Sequence, residues 1–327
     1  WSGKYSSALA QTMPLYSFIN SNNRNRLTIA TSEAKRRVNA KVGLREEGAV
    51  LYGALSFFTE VEAPISHYKT TILLDKRDIF WADAIREGVA WIESHNDFKV
   101  CRVPEAAFEP LYSTWYQFHQ QITDKEIEAE CREAVKLGMK TIIVDDGWQT
   151  EDNNRGYSFC GDWEVATKKF PDMAAHVKRV QDMGLKYLIW FSIPFLGKNT
   201  KAWEKFKDKI VCFDDFQNAA IFDIRFPEVR EYLKNIYINA VKEWNIDGLK
   251  LDFIDEFYLR PESPIWKEGM DVADIQEALG ILLTEVMEEL RAIRSDIMIE
   301  FRQKYIGPQI RKYGNFLRVM DCPLSGI

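Results

Sequence analysis

From Leu111 onward the apolar residues fall into short runs separated by longer stretches with helical spacing, and this rhythm narrows the fold more than any other feature. Residues 112–118, Thr141–Val144, Lys186–Ser192, 247–253, 297–302 and 316–320 read as strands. Amphipathic stretches at 124–137 and 173–183 stop at Gly138 and Gly184, where a glycine is expected to close a helix. Further helices at Pro227–Trp244 and 273–294 precede the fourth and fifth strands. Six strands joined by long, largely helical crossovers make either an open doubly wound sheet or a (β/α)8 barrel. No Gly-x-Gly-x-x-Gly follows the first strand, which counts against a dinucleotide-binding sheet. Polar residues instead close many of the strands: Asp145, Asp146, Trp190, Asp252, Arg302 and Asp321. Chemistry gathered from several strand ends is how barrel enzymes are built, so the expected fold is α/β, a TIM-type barrel. A barrel needs eight strands and Ile327 follows soon after the sixth, so the expectation is a barrel truncated at its C-terminus.

Residues 1–105 are different. Alternating stretches at 38–44, 49–52 and 71–74, punctuated by Gly, Asn and charged clusters, predict a β-rich N-terminal region ahead of a barrel domain at 106–327.

Composition excludes several functions. A net charge of −6 argues against nucleic acid, whose backbone demands a concentrated basic patch. The five cysteines lack CxxC or zinc spacing and their number is odd, which favours buried thiols over a disulfide framework. The four histidines show no paired-ligand spacing, so neither a metal nor another cofactor is expected. No apolar run is long enough to span a membrane, and no charged-then-apolar leader precedes the first strand. A cytoplasmic location is the working expectation, and a homo-oligomer is compatible with the sequence. The 10 Trp, 13 Tyr and 20 Phe are mostly core material, yet such a surplus also suits a cleft that stacks rings against sugars.

The strand carrying Asp252 is the most informative. Lys250 and Asp252 stand two residues apart, so the pleat turns both to one side of an otherwise apolar strand. Such a pair is expensive to bury unless matched or in use, and a lysine beside a carboxylate favours its ionised form. A capping role for Asp252, or a purely structural one for Lys250, is the plainer alternative. Asp145 and Asp146, in Asp-Asp-Gly-Trp at the end of the second strand, could accept hydrogen bonds from sugar hydroxyls, hold a metal, or form a solvated turn. Asp321, with Arg318 nearby, is the best second carboxylate or else half of an ordinary Arg–Asp pair. Glu300 and Asp255 stand in reserve.

Together, Asp145-Asp146-Gly147-Trp148, Gly161-Asp162-Trp163, Lys169-Phe170-Pro171 and Leu249-Lys250-Leu251-Asp252 resemble the barrel of glycoside hydrolase family 36, which contains α-galactosidases and plant raffinose-type galactosyltransferases. The resemblance runs from about Tyr112 to Pro323. It implies a (β/α)8 barrel after a β-sandwich, of which the N-terminal region would be a remnant. It also implies Asp252 as nucleophile, Asp321 as acid/base, and Asp145, Asp146, Trp190, Lys250 and Arg318 as substrate-binding residues, Trp190 serving as a platform for the sugar. The chain departs from the pattern at Leu251 and Phe253-Ile254, where many members carry Trp and Asn. Glu300 to Tyr305 stands where many have a loop rich in Cys and Gly.

The expected activity is retaining hydrolysis of terminal α-linked galactose from oligosaccharides by double displacement, with carboxyl groups about 5–5.5 Å apart. The alternatives are a hydrolase of another α-glycoside such as an α-glucoside or α-N-acetylgalactosaminide, a galactosyltransferase, or a non-catalytic sugar-binding homologue.

Overall fold

Strands buried on both faces read as unbroken apolar runs, because helices cover one side of a parallel sheet and its neighbours fill the other. Thr141-Ile-Ile-Val144 is such a strand, and Gly248-Leu-Lys-Leu-Asp252, apolar apart from Lys250 and Asp252, is likewise buried at every residue. In the computed structural model they lie in a six-stranded parallel sheet. The structure describes residues 2–62, 64–96, 99–154, 156–302 and 307–318. One compact unit takes in the chain up to Cys101 together with residues 307–312, and the second the remaining described residues.

In the first unit, β1 (Ser2–Ser7), β4 (Val38–Arg45) and β5 (Val50–Ser56) form one antiparallel sheet. A second is built from β2 (Leu15–Ile19), β3 (Asn25–Thr31) and β6 (Ile72–Asp75). Helix α1 (Trp81–Ser94) buries Ala84, Gly88 and Ile92, spaced by four residues on one face, and Ile92 packs with Ala30 and Ala34 of the second sheet's side. The region is β-rich as expected, with this one helix added.

The second unit opens with β7 (Leu111–Ser113) and a single turn, α2 (Trp115–Phe118), so the strand anticipated over 112–118 gives way to helix halfway. Next come α3 (Asp124–Lys136), β8 (Thr141–Val144), α4 (Met173–Asp182) and β9 (Lys186–Ser192). The crossover that follows carries an unanticipated antiparallel sheet of β10 (Phe195–Gly197), β11 (Ile210–Asp214) and β12 (Ala219–Phe222), with α5 (Lys201–Phe206). Then α6 (Pro227–Trp244), β13 (Gly248–Asp252), α7 (Ile275–Ile293), β14 (Met298–Arg302) and β15 (Phe316–Arg318) complete the series. The order β7-β8-β9-β13-β14-β15 is that of consecutive strands in a (β/α) barrel, giving a six-strand partial barrel. Ile143, Leu188 and Met298 meet in its interior.

Two polar anchors fix the frame. At the N-terminal end of β13, Asp247 accepts from the Tyr187 backbone N–H (3.0 Å), Gln181 (2.8 Å), Lys186 (3.0 Å) and Arg294 (2.9 Å). After β12, the fully buried Arg225 grips Asp223 through Nε (2.9 Å) and Nη2 (2.7 Å) and donates to the carbonyls of Pro264 and Ile265. That second anchor ties down the loop leaving β13.

Candidate active site

Register sets the positions of the polar side chains. Lys250 of β13 pairs with Trp190 on one side and Glu300 on the other, so the three lie in one layer across the sheet. Asp252 stands one pleat further towards the C-terminal end, where barrel enzymes do their chemistry. Among them these residues bury two acids, Asp252 and Glu300, and one base, Lys250, at the ends of neighbouring strands, which requires matched partners for each.

The matches are specific. Asp252 Oδ2 accepts from Trp190 Nε1 (3.0 Å), and Oδ1 from the Phe253 backbone N–H (2.8 Å). Arg302 Nε is shared between the two oxygens at 3.0 and 2.9 Å. Lys250 Nζ is 3.8 Å from Asp252 but 2.5 Å from Asp145, so its principal partner is the acid across the sheet, not the one beside it on its own strand. The residue after Asp252, Phe253, adopts φ 62 and ψ 20, a left-handed conformation that is unusual away from glycine. It lets the backbone N–H turn back onto the carboxylate.

Glu300 is held by Arg318 Nη2 at 2.7 Å, and Arg318 Nη1 reaches the Tyr116 hydroxyl at 3.3 Å. Burial raises the Glu300 carboxyl above its usual range, helped by the charges of Asp145 and Asp252 and opposed by Arg318 and Lys250.

Beyond β8, the backbone N–H of Asp145 donates to Thr114 Oγ1 (3.0 Å) and that of Asp146 to Asp145 Oδ1 (2.9 Å). Asp146 receives the side-chain amides of Gln120 (2.8 Å) and Gln149 (2.7 Å). Burial nevertheless pushes its carboxyl up to about 6, with the two amides working against the shift. Gly147 makes this approach feasible: its φ is +118, and a Cβ there would sit 2.6 Å from the Gln120 backbone. Lys169 staples the two segments, donating to the carbonyls of Gln120 (2.8 Å) and Gly147 (3.0 Å). Trp148 donates to the Trp190 carbonyl (2.8 Å) and packs against Trp163.

Asp145, Lys250, Asp252 and Trp190 are thus brought together, Arg318 joins through Glu300, and Asp146 lies next to Asp145. Trp190 is only 1% exposed and meets Asp252 through its N–H, so its indole holds the carboxylate rather than presenting an open ring face. Asp321 lies outside the described residues. Arg302, Gln120, Gln149 and Lys169 received no role from the sequence. Arg302 carried a signal as a charged residue closing an apolar strand, and Lys169 as part of the Lys169-Phe170-Pro171 motif. The amides of Gln120 and Gln149 carry none, because their partner is far away in sequence or on a loop. No three His, Cys, Asp or Glu side chains among the described residues are grouped to hold a metal ion.

Comparison with known proteins agrees with this architecture. The family model for Melibiase matches residues 106–302. Alpha-galactosidase Mel36A of Lactobacillus acidophilus is 26% identical over 176 residues, which cover 51% of this chain and 22% of that protein. Alpha-galactosidase AgaA of Geobacillus stearothermophilus is 23% identical over 173 residues, 49% of this chain and 23% of that protein. In three dimensions the chain is similar to the galactosidase domain of the alpha-galactosidase-sucrose kinase AgaSK, with a TM-score of 0.69 at 15% identity, covering 98% of this chain and 46% of that one. The crystal structure of AgaA with stachyose gives a TM-score of 0.69 at 15% identity, over 98% of this chain and 47% of that one. The chain therefore spans under half the length of these solved structures. With the family model matching more than half of its residues, and with the fold in agreement, this chain belongs to the Melibiase family, glycoside hydrolase family 36.

Proposed function

We propose that the protein hydrolyses terminal α-linked galactose from oligosaccharides with retention of configuration, Asp252 acting as the nucleophile. One observation carries the reading: Asp252 closes a buried barrel strand with both carboxylate oxygens aimed and fixed by N–H donors. A carboxylate held in one orientation meets the anomeric carbon without the entropic cost of finding its geometry. In the first step Asp252 attacks that carbon, and the bond to the aglycone oxygen breaks as an acid protonates it. Water then displaces the carboxylate with the same group acting as base. Asp321 is proposed for the acid/base role. Asp145 and Asp146 are proposed to bind sugar hydroxyls, with Lys250 fixing Asp145 and Arg318 fixing Glu300 behind them. Trp190 is proposed to orient Asp252 through its indole N–H.

The test is a panel of nitrophenyl α-glycosides given to the full-length protein and to Asp252→Asn. Turnover of the α-galactoside above the α-glucoside and α-N-acetylgalactosaminide, lost by ~1,000-fold or more in the variant, is the expected result for a nucleophile that works as part of a unit. Near-normal turnover by Asp252→Asn removes the nucleophile assignment, and binding of galactose without turnover by the wild type favours a sugar-binding protein instead.

A further inference from the structure

Arg302 stands where the strand after the nucleophile's own strand ends, and its side chain is used against Asp252. Its Nε–H is shared between the two carboxylate oxygens at 3.0 and 2.9 Å. The residue is 8% exposed and its guanidinium also lies over the Phe253 ring, 5.1 Å from the centroid. With the Trp190 and Phe253 N–H groups, each carboxylate oxygen faces two N–H donors, and the Lys250 ammonium adds its charge at 3.8 Å. Hydrogen bonds from a charged donor to a carboxylate are about twice as strong as neutral ones. A nucleophile so engaged attacks more slowly, and the same engagement makes it a better leaving group.

In double displacement Asp252 has both roles. Forming the glycosyl-enzyme makes a bond from a carboxylate oxygen to the anomeric carbon while the aglycone departs with its bonding pair and takes a proton from the acid. Hydrolysis makes a bond from water to that carbon, returns the bonding pair to the Asp252 carboxylate, and passes the water proton to the base. Donors on the free carboxylate lose strength in the first step and regain it in the second. We propose that Arg302 is a positioning residue that slows formation of the glycosyl-enzyme and speeds its breakdown, so that the covalent intermediate does not accumulate. This rests on the assignment of Asp252 as nucleophile.

The experiment is rapid-mixing kinetics with a dinitrophenyl α-galactoside on the full-length wild type, R302Q, R302M and R302K. Wild type releases dinitrophenolate without a burst. R302Q and R302M show a burst approaching the enzyme concentration. Their steady-state kcat is lowered about tenfold, the scale of one lost hydrogen bond to a charged group, and KM falls with it. R302K keeps the positive charge and shows no burst. A tenfold loss of kcat without a burst and with KM unchanged leaves Arg302 a structural ion pair and overturns the proposal. A full burst in the wild type overturns it too, and needs no variant to fold. R302Q, closest to arginine in shape among neutral side chains, covers the case in which R302M does not fold. Failure of the proposed hydrolysis is separate, since it appears as absence of turnover by the wild type on every α-galactoside.

Discussion

Asp146→Asn should gain stability relative to the wild type as the pH rises from 4 to 8. Burial raises the Asp146 carboxyl from the ordinary 3.8 to about 6. In the unfolded chain the proton leaves near 3.8, and in the folded protein near 6. Between those values the folded state binds more protons, so stability falls as the pH rises and the loss is complete above about 6. The gap corresponds to about 3 kcal/mol, of which roughly 2–3 kcal/mol develops between pH 4 and pH 8. Asparagine has no proton to lose, so the variant escapes that penalty. Its local hydrogen bonding differs from that of the acid, but this difference is the same at both pH values and cancels when the two are subtracted. The measurement is urea unfolding of wild type and Asp146→Asn at pH 4 and pH 8, followed by tryptophan fluorescence. The variant should gain about 2–3 kcal/mol on the wild type between the two conditions. A change of under about 0.5 kcal/mol, or one of opposite sign, would show that Asp146 is ionised throughout and refute the reasoning.

Two further outcomes follow from the packing. Arg225→Met strands the buried Asp223 without its bidentate partner and should cost about 3–5 kcal/mol of unfolding free energy by urea denaturation, whereas replacing both residues with apolar ones should cost less. Gly147→Ala forces a Cβ to within 2.6 Å of the Gln120 backbone at a φ of +118. It should destabilise the fold by about 2 kcal/mol or more and raise KM for an α-galactoside, and a normal KM would show that the Gln120–Asp146 contact is dispensable.

Much of the barrel was legible because parallel strands announce themselves as short apolar runs and helices as periodic stretches with glycine stops. Thr141–Val144 and Lys186–Ser192 coincide with the observed strands for that reason. The antiparallel sheet of the β9–β13 crossover was not legible. Ala219-Ala-Ile-Phe222 is apolar at every position, and its four residues carry no period to separate strand from helix. Helix α1 was hidden among alternating segments although Ala84, Gly88 and Ile92 mark one face. In the site, the sequence could show Lys250 and Asp252 on one face of one strand, but not that Asp145 would take the lysine first. That outcome depends on the spacing of β8 from β13 through β9, a tertiary distance. The indole of Trp190 illustrates the same limit, since whether it offers its face or its N–H is decided by the rings of Tyr157 and Trp163 around it.

Strand β13 carries an acid at each end. Asp247 gathers four donors below it, and Asp252 is set for chemistry above, five residues away or about 16 Å along the strand. Groups so far apart with no shared partner respond to substitution independently. The lower end can therefore drift under selection for heat or cold tolerance without disturbing the upper one. A lineage could remodel its substrate range at the mouth while its durability is inherited unchanged from the floor.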